Sequence, residues 1–345
     1  MSSTQDSTSA YAQKKKLKKT QDQGRKSKGL SSTRSPIPPI PIDVDKQPAS
    51  LMKLAAKLSL DTGSYVDTRF LLFSRRNSSG VVFAPRAVFA NSWLLRARLS
   101  AYFEPLLRGG YDGDSVVGPL DAVPQEFPKE TTTYDYNDDS DLEEEDERET
   151  FEAFSDKVDP TEPEPSSSEV KVEDEKPAAS GSTGRGLGTT GQTIMMKNHA
   201  YTTWKAFIYY LYTGDVAFTP LKSQLKTQPS ADATKRQILA LTAPPCSPKS
   251  MYRLADELGF EELKNKARMD IAGKLTTENI LDELFSTLTC RYDAIRDLEV
   301  GVACSGSARH VVVNQFPSYI ASMDPDDLKR CSDTISVLVT TLAQR

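Results

Sequence analysis

The stretch YTTWKAFIYYLYTGDVAF, residues 201–218, decides how this chain is read. Trp204, Phe207, Ile208 and Leu211 recur at i, i+3, i+4 and i+7, the spacing of one buried helical face. Thr202 or Thr203 supplies a cap at the start, and Gly214 stands just past the end, where a left-handed residue closes a helix. Val216 and Phe218 then alternate as in a short strand. Helix, stop and strand make this a piece of an α+β core. Tyr209, Tyr210 and Tyr212 widen its apolar belt.

Working outward, YVDTRFLLFSRR (65–76) and GVVFAPRAVFA (80–90) read as paired strands around a turn at Asn77-Ser-Ser-Gly80. WLLRARLSAYFEPLL (93–107) follows as a helical stretch with one apolar side, stopped by Gly109-Gly110. Tyr102 and Phe103 are its aromatic anchors, as Trp204, Phe207 and Tyr210 are those of the aromatic helix. Downstream, Ser247 caps a helix with Pro248 in its first position and Met251, Leu254, Ala255 and Leu258 as its stripe. Gly259 ends it, and Phe260, Leu263 and Ala267 begin the next. Further helical stripes run through Leu281, Leu284, Phe285 and Leu288, through Ile295, Leu298 and Val302, and through Ile335, Leu338, Val339 and Leu342.

Between these blocks the composition changes. Hydrophobic residues make up 38% of the 345-residue chain, and its mean hydropathy is −0.48, both low for a chain packed throughout. From Asp135 to Glu175 there are nineteen acidic residues against three basic ones. At that density like charges repel, and too little apolar surface is left to offset chain entropy. The expectation is a disordered acidic insert over 112–192, in which Ser140 and Ser166 each have an acidic residue three positions on, a casein-kinase-type pattern. Its end, GSTGRGLGTTGQT (181–193), contains a formal GxGxxG and nearly matches a P-loop. Gln192 stands where the phosphate-binding lysine belongs, and no strand is expected before the glycines, so a flexible linker is the reading.

The net charge of −5 hides a basic start. Lys14, Lys15, Lys16, Lys18 and Lys19, then Arg25, Lys26 and Lys28, spell a two-part nuclear import signal, a nucleic-acid patch or a solvated tail. No aromatics are interleaved for base stacking, which disfavours direct nucleic-acid binding. SPIPPIPID (35–43) is extended and polyproline-like. Cys246, Cys290, Cys304 and Cys331 lie far apart without CxxC spacing, which fits a reducing compartment and argues against a disulfide framework or a zinc site. No apolar run of membrane-spanning length and no signal-peptide core is seen. The expected location is intracellular, nuclear or cytoplasmic.

Five blocks in order carry a resemblance: DTRF (67–70), APRAVFA (84–90), SAYFEPLL (100–107), YTTWKAFIYYLYTGDV (201–216) and SPKSMYRLADELGFEELK (247–264). Together they resemble the BTB/POZ domain, most closely as it occurs in filamentous and mushroom-forming fungi. The resemblance implies an α+β fold in which a short sheet is capped by a cluster of helices. It divides the chain into a disordered basic and proline-rich tail (1–63), a first half-domain (64–111), the acidic insert (112–192), a second half-domain (193–275, with a shorter insert at about 221–245) and a helical extension (276–345).

It also implies protein–protein interaction: a homodimer, acting as adaptor between a cullin-3-type ubiquitin ligase and an unknown protein substrate. The alternative is a nuclear scaffold for regulatory partners. Asp67 and Arg86 match the acid and base that line the family's charged dimer pocket, whereas Pro85 replaces its usual histidine. No cofactor, metal or membrane is implied. An enzyme is not expected either. The chain has two histidines, His199 and His310, with no nameable catalytic partner, and its carboxylates crowd into a segment without fixed geometry.

Overall fold

The computed structural model describes residues 47–108, 115–121, 128–134, 136, 139–144, 190–227 and 243–344. The import-type lysines, the proline-rich run, residues 145–189 with Ser166, and residues 228–242 lie outside them.

The described residues open with helix α1, Pro48–Thr62, followed by Gly63 in the left-handed region at φ 72°. A disordered tail is expected through residue 63, and here the structure differs. Leu51 and Ala55 are buried, because α1 packs along the aromatic helix instead of facing water. Strands β1 (Thr68–Arg76) and β2 (Val82–Ala90) then form the expected antiparallel hairpin. The helical stretch beyond it is two helices, α2 (Ser92–Arg98) and α3 (Ser100–Leu107). The break falls at Leu99, whose φ of −143° and ψ of 66° are not helical.

Parts of the stretch 112–192, expected to be disordered, are folded. Residues 115–119 are strand β3, 130–131 are β4, and 143–144 are β5. The glycine-rich linker ends as strand β6, Thr190–Met196, inserted between β3 and β1 and parallel to β1. Gly191 owes its identity to that insertion. A Cβ there would overlap the Asp67 backbone carbonyl and the Leu120 side chain. Close strand approach, not phosphate, explains this glycine.

The sheet runs β3-β6-β1-β2-β4, with β5 pairing the far end of β1. One face, with Phe70, Val88 and Ile194, looks onto the helices. Helix α4, Tyr201–Thr213, lies there with Trp204, Phe207, Tyr210 and Leu211 buried, and Gly214 ends it at φ 82°. Its cap differs from expectation. The helix starts at Tyr201, so Ala200 is the capping residue and its side chain cannot accept a bond, and Thr203, inside the first turn, donates its hydroxyl to Asp141. The alternation after Gly214 shortens to β7, Ala217–Phe218, which pairs with β8, Pro245–Cys246. Within the shorter insert, Lys222–Thr227 forms helix α5, and Leu221 and Ala243 are buried, so residues 221–227 and 243–245 belong to the fold.

Helix α6, Pro248–Glu257, starts as its sequence dictates, with Ser247 Oγ accepting from the Ser250 amide. Helix α7, Glu261–Lys274, completes the first core. A second core follows in a helical cluster: α8 (Ile280–Leu284), α9 (Thr287–Arg291), α10 (Asp293–Ala303), α11 (Gly306–Ser322), α12 (Pro325–Arg330) and α13 (Ser332–Gln344). The architecture is α+β, a mixed sheet followed by a C-terminal cluster of helices. Among the described residues no helix is long and apolar enough to cross a membrane.

Candidate functional site

The aromatic anchors converge. Trp204 meets Phe70 with ring centroids 5.2 Å apart, Phe207 at 5.5 Å and Phe103 at 6.5 Å. Tyr102 is only half-buried and sets its ring edge-on to Phe103 at 5.1 Å. Tyr210 is enclosed, and its hydroxyl donates to Glu262 at 2.8 Å. Burial, then the bond to Glu262, pushes that phenol well above its ordinary range. His199 stacks on Trp204 and reaches Glu257 at 3.4 Å, a core-edge role. His310 lies on α11 within 3.1 Å of Asn314.

Asp67 and Arg86 are not brought together. Asp67 accepts from the Ser92 amide at 2.7 Å and from the Ser92 hydroxyl at 2.5 Å, holding the entry of α2. Arg86 lies across the Tyr201 ring at 4.2 Å. Arg86 pairs with Leu72, five residues along β1 from Asp67, which sets them roughly 16 Å apart along the strand. Each makes its contact elsewhere within the chain, and the two do not touch within one copy.

What composition concealed is a buried acidic knot. Tyr134 donates to Asp139 Oδ2 at 2.6 Å, and Ser250 donates to Asp139 Oδ1 at 2.6 Å. Asp141 accepts from Thr203 at 2.6 Å and from the Ser247 amide at 2.8 Å. Asp139 and Asp141 are thereby tied to the starts of α4 and α6. Arg253 lies 4.8 Å from the Tyr136 ring and 5.9 Å from that of Tyr134. Burial, then the neighbouring Asp139, pushes the Asp141 carboxyl up to about 7. The signal that could have found this knot is Tyr134-x-Tyr136 and Leu142, apolar side chains within the acidic run.

A second polar group joins the two cores. Lys249 on α6 reaches Glu283 on α8 at 2.5 Å, and Ser223 on α5 donates to the same carboxylate at 2.5 Å. Thr289 donates to Glu299 at 2.7 Å. Burial dominates at Glu299 and pushes its carboxyl up to about 8 despite the nearby Lys249. A cleft of about 340 Å³ opens beside this seam, lined by Arg76, Ser140, Lys222, Lys249 and Glu283 among others. Its lysines already hold carboxylates. Among the described residues no cluster of metal-ligating side chains occurs.

The outer face of the sheet carries accessible apolar side chains. Directly paired residues share a face, so Phe89, Arg69, Thr193 and Val116 form one row across β2, β1, β6 and β3. Further along the same face, Leu71 and Phe73 are covered by Tyr134, Tyr136 and Leu142. Arg69 donates to Thr193 and to the Leu120 carbonyl, closing the centre of the row. The two ends stay open. Phe89 is 50% exposed, Val116 42% and Val117, on the opposite face of β3, 54%.

No protein-family model matches the chain, and no curated protein and no solved structure matches it.

Proposed function

We propose that this chain is a protein–protein interaction module of BTB/POZ type, self-associating through the outer face and free edge of its sheet. The observation that carries the reading is strand β3. Among the described residues no strand pairs with its outer edge, and it shows valine on both faces. An edge strand of this kind leaves a row of backbone groups open to another strand, and proteins ordinarily blunt such edges with charge or cover. Ser115–Pro119 carries no charge at all. A second copy pairing along β3 would use those backbone groups and bury Val117, and Phe89 and Val116 would extend the contact across the face. The element order supports the family reading: a hairpin, two short helices and, beyond β3–β5, a strand (β6) parallel to the first, then the aromatic helix.

Sedimentation equilibrium on the full chain tests this. A dimer at tens of micromolar is expected, and Val117→Lys with Phe89→Asp should return monomer while circular dichroism stays unchanged. A monomeric wild type would overturn the reading. The adaptor role is the finer part of the proposal, with the C-terminal helices continuing the surface that a cullin would grip. A pulldown with a purified cullin-3 amino-terminal region tests it separately. A dimer that captures no cullin would leave the module and remove the adaptor.

A further inference from the structure

The geometry points to Cys290 and Cys331 as a reversible dithiol–disulfide site that staples the terminal helix α13 onto α9 when a small peroxide oxidises it. The two sulfurs lie 2.8 Å apart although the residues are separated by 41 positions. Both are free thiols. Cys290 sits in the last turn of α9, and Cys331 is the joint between α12 and α13. Folding of the second core has thus already met the cost of bringing distant thiols together.

The surroundings divide the labour. Cys331 is fully buried, with its sulfur 3.6 Å from the Phe285 carbonyl. Burial, then the adjoining Cys290, pushes its thiol up to about 12, so it stays protonated and inert toward solvent. Cys290 is half-buried, the sulfur a small oxidant reaches first. The Arg330 guanidinium, which also pairs with Asp327 at 2.9 Å, lies beside both sulfurs and favours negative charge developing there. Stacked rings of Phe285, Phe316 and Tyr319 border the pair on the core side.

The chemistry balances with hydrogen peroxide as oxidant. The Cys290 thiolate attacks one peroxide oxygen, the O–O bond breaks, and with its displaced proton the leaving hydroxide departs as water. Cys290 is left as a sulfenic acid. The Cys331 sulfur then attacks the Cys290 sulfur. The S–O bond breaks, and the hydroxide released takes the Cys331 proton as a second water. Two thiols and one peroxide become one disulfide and two waters. A dithiol reductant reverses the step by exchange. Oxidation holds α13, anchored otherwise by Thr334 and Leu338, to the body of the cluster.

Thiol titration under denaturing conditions, non-reducing peptide mapping and hydrogen exchange on the full chain test the proposal, before and after stoichiometric hydrogen peroxide. Titratable thiols should fall from four to two, with one peptide pair joined through Cys290 and Cys331. Exchange over 332–344 should slow by roughly tenfold or more, since the crosslink removes open states of the chain. A dithiol should restore both. Cys304→Ser should still form the link, and Cys290→Ser should not. Replacing the buried Cys331 risks the fold, so the wild-type map decides. Four thiols remaining, a link through Cys246 or Cys304, or Cys290 recovered as sulfinic acid would each overturn the assignment.

Discussion

Trp204 meets rings from β1, α3 and its own helix and is fully buried among them. Trp204→Ala should cost about 3–5 kcal/mol, read as a lowered urea midpoint. A midpoint near wild type would mean the site collapses around the gap. Asp141 carries a different prediction, with a defined sign. Its folded pKa of about 7 stands above the ordinary 3.8. Between those values the folded state holds more protons than the unfolded one, so Asp141 makes stability fall as pH rises through that window. Glu299, raised to about 8, acts in the same sense from its ordinary 4.5 upward. Asp141→Asn should flatten the fall between about pH 4 and 7, a difference on the order of a few kcal/mol. Denaturant midpoints at several pH values check this, and an unaltered slope would assign the pH dependence to other groups.

At the scale of elements, the insert separates into two parts with opposite expectations. Shortening 145–189 to about eight residues relieves only about 1.5 kcal/mol of loop-closure entropy. The melting temperature should therefore hold or rise slightly. Removing 115–144 is another matter. It takes away β3, β4 and β5 together with the buried Leu120, Tyr134, Tyr136 and Leu142. At roughly 1.5–3 kcal/mol for each large side chain, several kcal/mol are lost, and the outer face over Leu71 and Phe73 is laid open. The longer deletion should come out molten or aggregated, and the shorter one should melt cooperatively. Equal behaviour of the two would contradict the docking of 134–142.

For the whole molecule, the question is how two hydrophobic cores behave as one. The ion pair between Lys249 and Glu283, with Ser223 on the same carboxylate, is a buried polar link between them. Lys249→Ala leaves Glu283 and Glu299 buried without the cation between them. Removing one partner of a buried pair typically costs about 3–5 kcal/mol. The expected result is two separate transitions in calorimetry, the helical cluster melting first. Lys249→Ala with Glu283→Gln should recover part of the coupling, because one of the stranded charges is gone. A single transition at the wild-type temperature in the Lys249 variant would show that apolar contact alone joins the cores.

Local pattern alone determined a good part of this protein. The helical stripe of 201–213, the stop at Gly214, the cap at Ser247 with Pro248, and the hairpin around Asn77-Ser-Ser-Gly80 all rest on interactions within a few residues, and sequence spacing records those directly. Tertiary structure decided the rest. Residues 115–144 look too acidic to fold, yet Asp139 and Asp141 find five hydroxyl and amide donors from α4, α6, the residue ahead of α6, and their own segment. Gly191 looks like linker until β6 slides beside Asp67. Asp67 and Arg86 are set apart within one copy by strand register, and Cys290 and Cys331 look unrelated until α9 meets the joint of α12 and α13. Each of these depends on which distant group arrives to share a charge, a hydrogen bond or a close approach. That information lies in the packing of whole elements, beyond the reach of any window of neighbouring residues.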